Sequence, residues 1–307
     1  MFTRLFIFST LLLGLNGCAE NASPQTAPPQ YATTILPKKA FKTKENNAIK
    51  NIRLMFAGDI MSQLLQIESA DMGKGRYDYT PCFQYIRPIF AQADLVFGNL
   101  ECTLVDEPPY TGYPNFKSPD QLAEAVKKGG FDVLVTSNNH ALDGGLYGVN
   151  HTIDVVRKQG FIQTGTFQDE QRRKVFYPLI VYKNGFKIAV LNYTHHTNGI
   201  PPKAPAIVNR LVMKDVKHDL EEAKLMKPDI IITFLHWGDE HQLSESSEQR
   251  GVAAMLHEWG SDLVVGSHPH VVQPIKNELI AINKREVNCL TAYSLGNFIS
   301  ADRKSVV

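Results

Sequence analysis

An α/β fold, in which a mixed sheet is covered by helices on both faces, is what this chain predicts. Three observations carry that expectation. Short strand-like runs alternate with helical stretches; several of the runs are uniformly apolar, as strands buried on both faces are; and hairpin signals break the alternation, so the sheet is mixed rather than purely parallel. The 307 residues suffice for a sizeable core, and 43% hydrophobic content is ordinary for a soluble globule.

Taken in order, residues 53–57 (RLMFA) form the first expected strand, which runs into Gly58-Asp59-Ile60-Met61. Residues 82–91 alternate at helical spacing. A second strand over 95–97 ends in Gly98-Asn99-Leu100-Glu101. Pro119 suits the first turn of a helix carrying Leu122, Ala125 and Val126. The third strand, 133–135, ends in Ser137-Asn138-Asn139-His140, with Asp143 following, and Leu146, Val149, Ile153 and Val156 trace one helix face. Residues 175–182 and 186–192 flank Asn184-Gly185, a strong hairpin signal, and deliver His195-His196. Met213, Val216, Leu220 and Ala223 mark another amphipathic helix. The apolar strand 230–235 delivers His236-Trp237-Gly238-Asp239-Glu240, and Val252, Met255, Leu256 and Trp259 stripe the next helix. A short apolar run, 263–265, then gives way to Gly266-Ser267-His268-Pro269-His270. A last pair of strands, about 271–282 and 289–295, ends at Gly296-Asn297-Phe298.

The first residues are not read as fold. Arg4 opens a charged region, residues 5–15 form an apolar run too short to span a bilayer, and Leu15-Asn16-Gly17-Cys18 closes it, the pattern of a signal peptide. Its ending resembles a bacterial lipobox, which implies that Cys18 is lipidated and becomes the mature N-terminus. Residues 18–50, rich in Pro, Ala, Gln, Thr, Lys and Asn, cannot build a core and read as a tether. The folded domain is therefore expected over 51–307 of an exported lipoprotein, held to a membrane on its extracytoplasmic side. Formal charge is +1, and losing Arg4 with residues 1–17 brings it to zero, so nothing points to nucleic acid as a partner. Beyond Cys18 three cysteines remain, Cys82, Cys102 and Cys289; their spacing is no zinc pattern, and they read mainly as buried small hydrophobes.

Six strand ends release residues able to bind metal: Asp59; Asn99 and Glu101; Asn139 and His140; His195 and His196; His236; His268 and His270. In His268-Pro269-His270 the two imidazoles stand two residues apart in an extended run and face the same way. Ligands in open α/β sheets gather at strand carboxyl ends, so these groups can converge. Carboxylate, amide and imidazole without thiol suit Mn, Fe or Zn, and six such ends point to a dinuclear site.

The order Asn-Leu-Glu (99–101), Asn-Asn-His-x-x-Asp (138–143), His-Trp-Gly-x-Glu (236–240), Gly-x-His-Pro-His-Val-x-Gln-Pro (266–274) and Tyr-Ser-Leu-Gly-Asn-Phe (293–298) resembles the CapA proteins of capsule and poly-γ-glutamate synthesis. Their fold is similar to that of calcineurin-like metallophosphoesterases, which implies a four-layer α/β/β/α sandwich of mixed sheets. The resemblance further implies Asp59, Glu101, Asn139, His236, His268 and His270 as ligands of a divalent metal pair and His140 as the acid. Met61 stands where the metallophosphoesterase pattern has a histidine, and Asn99 where it has the bridging carboxylate, a role Glu101 can take instead. Asp143 and Glu240 are candidates to orient histidines, and His196 to line the pocket with Asn99. Met61 reads as core, Asn297 as turn-shaping, and His151, His218, His241 and His257 as surface or helix-face residues. Two functions follow. One is a metal-dependent hydrolase acting on a phosphoester, or on an amide or ester of an envelope polymer. The other is an accessory of a membrane polymer synthase that grips an anionic envelope polymer without turnover.

Overall fold

The computed structural model describes residues 50–282 and 285–301, all within the unit Ile49–Val307. The expected signal peptide, Cys18 and the tether, apart from Lys50, lie outside the described residues. Among those described, no helix is long and apolar enough to cross a membrane.

Two sheets carry the domain. The first is built from β1 (Leu54–Ile60), β2 (Leu95–Leu100), β3 (Val133–Val135) and β4 (Ile162–Thr164). The second holds the hairpin β5 (Leu179–Lys183) and β6 (Phe186–Thr194), then β7 (Ile230–His236), β8 (Leu263–Ser267), β9 (Ile275–Ile282) and β10 (Arg285–Ala292). The chain then returns to the first sheet as β11 (Asn297–Ile299). The strand orders are β11-β1-β2-β3-β4 and β9-β10-β8-β7-β6-β5. The first sheet is parallel throughout; in the second, the outer pairs β5–β6 and β9–β10 are antiparallel, so the sheet is mixed as the hairpin signals predict.

Successive strand residues point to opposite faces, and the cores follow that alternation. Leu95 and Phe97 of β2 and Val133 and Val135 of β3 meet Ile188, Val190, Ile232, Phe234 and Val265 of the second sheet. Phe97 stacks on Phe234 at 5.7 Å. Val96, Leu100 and Leu134, one residue out of phase, turn to the other side and meet Leu122, Val126 and Val156. These belong to helices α1 (Gln121–Gly129) and α2 (Gly145–Lys158). Ala189, Leu191, Ile231, Leu235 and Val264 likewise face Val216, Leu220, Val252 and Leu256 of α3 (Met213–Leu225) and α4 (Ser247–Trp259). The result is helix, sheet, sheet, helix: the four-layer sandwich.

Several elements differ from expectation. Residues 82–91 form no continuous helix, because Pro81 and Pro88 divide the stretch into a 3₁₀ turn at Thr80–Phe83 and one helical turn at Arg87–Phe90. Pro119 ends a short strand, Lys117–Pro119, one residue before the Asp120 cap of α1. Val175 belongs to a helix, Glu170–Phe176, and the hairpin strand starts at Leu179. The buried face of α4 is Val252, Ala253, Leu256 and His257, which leaves Met255 partly exposed. His257 is 3% exposed, its Nδ1 2.7 Å from the Ser261 carbonyl and its Nε2 2.8 Å from Thr291 Oγ1. Of the three cysteines, Cys82 is exposed and the other two buried.

Candidate metal centre

Parallel strands place their carboxyl ends on one edge, and register brings particular residues abreast. Asp59 pairs across to Asn99 on β2 and to Asn297 on β11, while His236 pairs with Ser267. Two glycines allow this. A Cβ on Gly58 would lie 1.8 Å from the Gly296 carbonyl oxygen, and one on Gly266 would lie 1.9 Å from that of Tyr293, so no side chain fits at either crossing.

At that edge Asp59, Asn99, Glu101, Asn139, His236, His268 and His270 come together, each at most 7% exposed. The His236 and His268 rings stand 4.7 Å apart and those of His268 and His270 5.9 Å. His236 Nδ1 lies 3.0 Å from Ser267 Oγ, which leaves Nε2 facing Asn139 Oδ1 at 2.9 Å and Glu101 Oε1 at 3.4 Å. Glu101 Oε1 is also 3.8 Å from His270 Nε2, and His270 Nδ1 is 3.3 Å from Asp59 Oδ2. Asn99 is the hub, with Nδ2 2.8 Å from Asp59 Oδ1, 3.5 Å from Glu101 Oε2 and 3.2 Å from His236 Nδ1. Two ligand sets result, Glu101–His236–His268 and Asp59–Glu101–His270, sharing Glu101.

The charges suit a cation. Burial pushes Glu101 well above the usual carboxylate range, and the charge of Asp59 adds to that. Burial opposes ionisation of Asp59 too, but the hydrogen bond and charge of His270, with donors from Asn99 and the His268 amide, bring its carboxyl below the ordinary value. Burial and the neighbouring imidazoles hold His236 far down and His268 down to about 3, so both are neutral and able to ligate. Glu101 Oε1 and His268 Nδ1 are buried with no hydrogen-bond partner, an arrangement costly in a structural core. A carboxylate shared by two imidazole-bearing sets, with orphaned donor atoms aimed inward, fits a divalent ion of the Mn, Fe or Zn kind.

A family model described as bacterial capsule synthesis protein PGA_cap matches residues 53–302. The chain belongs to this family. Two curated relatives carry CapA names. "PGA biosynthesis protein CapA" of Bacillus subtilis (strain 168) is 30% identical over 265 residues, 80% of this chain and 62% of that protein. "Capsule biosynthesis protein CapA" of Bacillus anthracis is 27% identical over 271 residues, 84% and 61%. The chain thus spans about three fifths of the length of the curated relatives it matches. A solved structure, TT1561 of Thermus thermophilus, aligns with 78% of this chain and 89% of its own at 12% identity and a TM-score of 0.42.

In this PGA_cap domain His140 stands beside the groups that could hold a metal, 5% exposed. Its Nδ1 is 2.7 Å from Asp143 Oδ2, which also accepts from the Phe116 amide, while the imidazole packs edge-on against the Phe116 ring. His140 and His270 open onto a cavity of about 280 Å³ whose wall includes Met61, Tyr113 and Glu240. Met61 is 4% exposed and packs into the apolar cluster under the first sheet while forming that wall. Asp143 therefore orients His140, and Glu240 lies beside His268 and His270 with its side chain 53% exposed. His196 contacts His268 at 5.1 Å between ring centres, and His195 points away towards Glu248. Sequence reading missed three residues. Asn297 holds His270 Nδ1 at 2.9 Å rather than only shaping a turn. His241 lines the cavity, and Ser267 orients His236. Ser267 and His241 each adjoin a flagged histidine or glutamate, but neither has a periodic signal of its own.

Proposed function

We propose that this domain is a metal-dependent hydrolase of phosphoester type, working in the synthesis of a capsule or poly-γ-glutamate-like envelope polymer as a lipid-anchored protein outside the cytoplasmic membrane. The observation that carries the reading is the pair of Glu101-sharing ligand sets buried behind a cavity that His270 of one set and the Asp143-bonded His140 both line. Glu101, Asn139, His236 and His268 would hold one ion, and Asp59, Glu101 and His270 a second. Bound there, a divalent cation supplies Lewis acidity towards a phosphoryl or carbonyl oxygen and acidifies water. Asp143 fixes the His140 ring through Nδ1 and leaves Nε2 to hand a proton to the departing oxygen. The CapA names of the relatives supply the polymer context.

One observation favours binding without turnover: Met61 leaves the Asp59 set with three donors and a thioether in the wall. Another weighs against the cleft gripping a polyanion by charge. Among the described residues, none lining the cavity is a lysine or arginine, and Glu240 is there. The test is metal content of the purified chain, then phosphodiester hydrolysis with added Mn²⁺. His140→Ala is expected to keep its metal and lose roughly 10²–10⁴ in turnover. A wild type with neither metal nor turnover refutes the hydrolase.

A further inference from the structure

A third set of ligating groups lies on the solvent side of the buried cluster. It joins Glu240 to His268 and His270, one donor atom from each within 4.8 Å of the others. We propose that Glu240 is a metal ligand at the mouth of the cleft, adding a carboxylate beside His268 and His270 to the ion that His270 holds. The inference rests on the metal reading given above and adds to it a residue that the metallophosphoesterase pattern does not supply.

Glu240 is not a carboxylate on a loose loop. The Trp237 amide donates to the Ser267 carbonyl at 3.1 Å and the His241 amide to the Pro269 carbonyl at 2.8 Å, so the backbone on both sides of Glu240 is clasped to the His268-Pro269-His270 segment. Gln273 Nε2 reaches the Gln242 and Ser244 carbonyls at 2.9 and 3.2 Å and holds the next stretch of the loop. His241, His268 and His270 all adopt positive φ, at 61°, 96° and 59°, so His268 and His270 do not lie in the extended run expected from the sequence. Positive φ is uncommon for residues with a side chain and persists where the surroundings impose it, often at functional sites.

The donors match an ion better than one another. His241 Nε2 is 3.9 Å from Glu240 Oε2, too far for a hydrogen bond. His268 Nδ1 is buried and has no partner, so the imidazole most central to the cluster keeps a donor to give. Two imidazoles and a carboxylate suit Zn²⁺, Fe²⁺ or Mn²⁺ rather than an all-oxygen calcium site. The Asp59–Glu101–His270 set meets a thioether at Met61, so a hard oxygen beside His270 supplies a donor that the thioether cannot.

The test is titration of the chelator-stripped full chain with Mn²⁺ and Zn²⁺ by calorimetry, with metal content by mass spectrometry, for wild type, Glu240→Gln and Asp239→Asn. Both side chains are exposed, so the stripped variants are expected to melt with wild type. Glu240→Gln should lose one equivalent of metal or weaken binding at least about tenfold, and Asp239→Asn should titrate as wild type. Glu240→Gln titrating like wild type overturns this inference alone, as does an equal loss in Asp239→Asn, which would make the effect one of general charge. A wild type that takes up neither ion overturns the metal reading and this inference with it.

Discussion

Replacing Met61 with histidine separates a weakened two-metal centre from a plain core position. Met61 stands two residues past Asp59, just beyond the end of β1 and a shift in its register, and forms the cleft wall with His270 and Asn297. It is also 4% exposed, packed with Ile60, Tyr79 and Phe116. Without metal, Met61→His buries an imidazole with no partner at a cost of about 1–3 kcal/mol. For a domain of this size each kcal/mol moves the melting temperature by roughly 2–4 °C, so the stripped variant should melt roughly 2–12 °C below wild type. With metal the ring becomes a fourth donor beside Asp59, Glu101 and His270. An ion at a hundred times its dissociation constant returns about 2.7 kcal/mol, enough to offset most of that loss. The assay is scanning calorimetry with and without Mn²⁺, with metal content and phosphodiester turnover on the same preparations. The expected pattern is a low melting point when stripped, recovery on loading, and a second ion held more tightly. Unchanged metal stoichiometry, with a melting point lowered equally in both conditions, would refute the reasoning.

Asp143→Asn should lower turnover roughly ten- to a hundredfold with metal content intact, since the carboxylate touches His140 and not the ion; a parallel fall in metal content would remove it from the proton path. Burial holds His257 below its ordinary pKa, so the unfolded chain takes up that proton first. The stability it contributes is complete above about pH 6.5 and is lost as pH falls through the folded value. The gap in urea-unfolding free energy between wild type and His257→Gln should therefore narrow from pH 7.5 to 5.5, and a constant gap would contradict the shift. Cys18→Ser should abolish fatty-acid labelling and membrane retention; equal labelling of both chains would end the lipoprotein proposal.

The sequence by itself determined the strand-and-helix order and the metal-capable residues at six strand ends. These are local properties: an apolar run of three to seven residues, a helical stripe and a polar residue just past a strand end are each written within one short window. Only the tertiary structure decided that His257 is buried, that Met255 lies off the buried face of α4, and that Asn297, rather than a nearer neighbour, holds His270. It also showed Asn99 bonding to Asp59 and His236 at once, and brought Glu240 beside the His268–His270 pair. Each of these depends on contacts between segments tens to more than a hundred residues apart, set by strand register and by backbone crossings such as Gly58 against Gly296. A period of two or of 3.6 residues records which face a side chain takes. It does not record what the opposite segment places there, because that is settled by the packing of the two sheets.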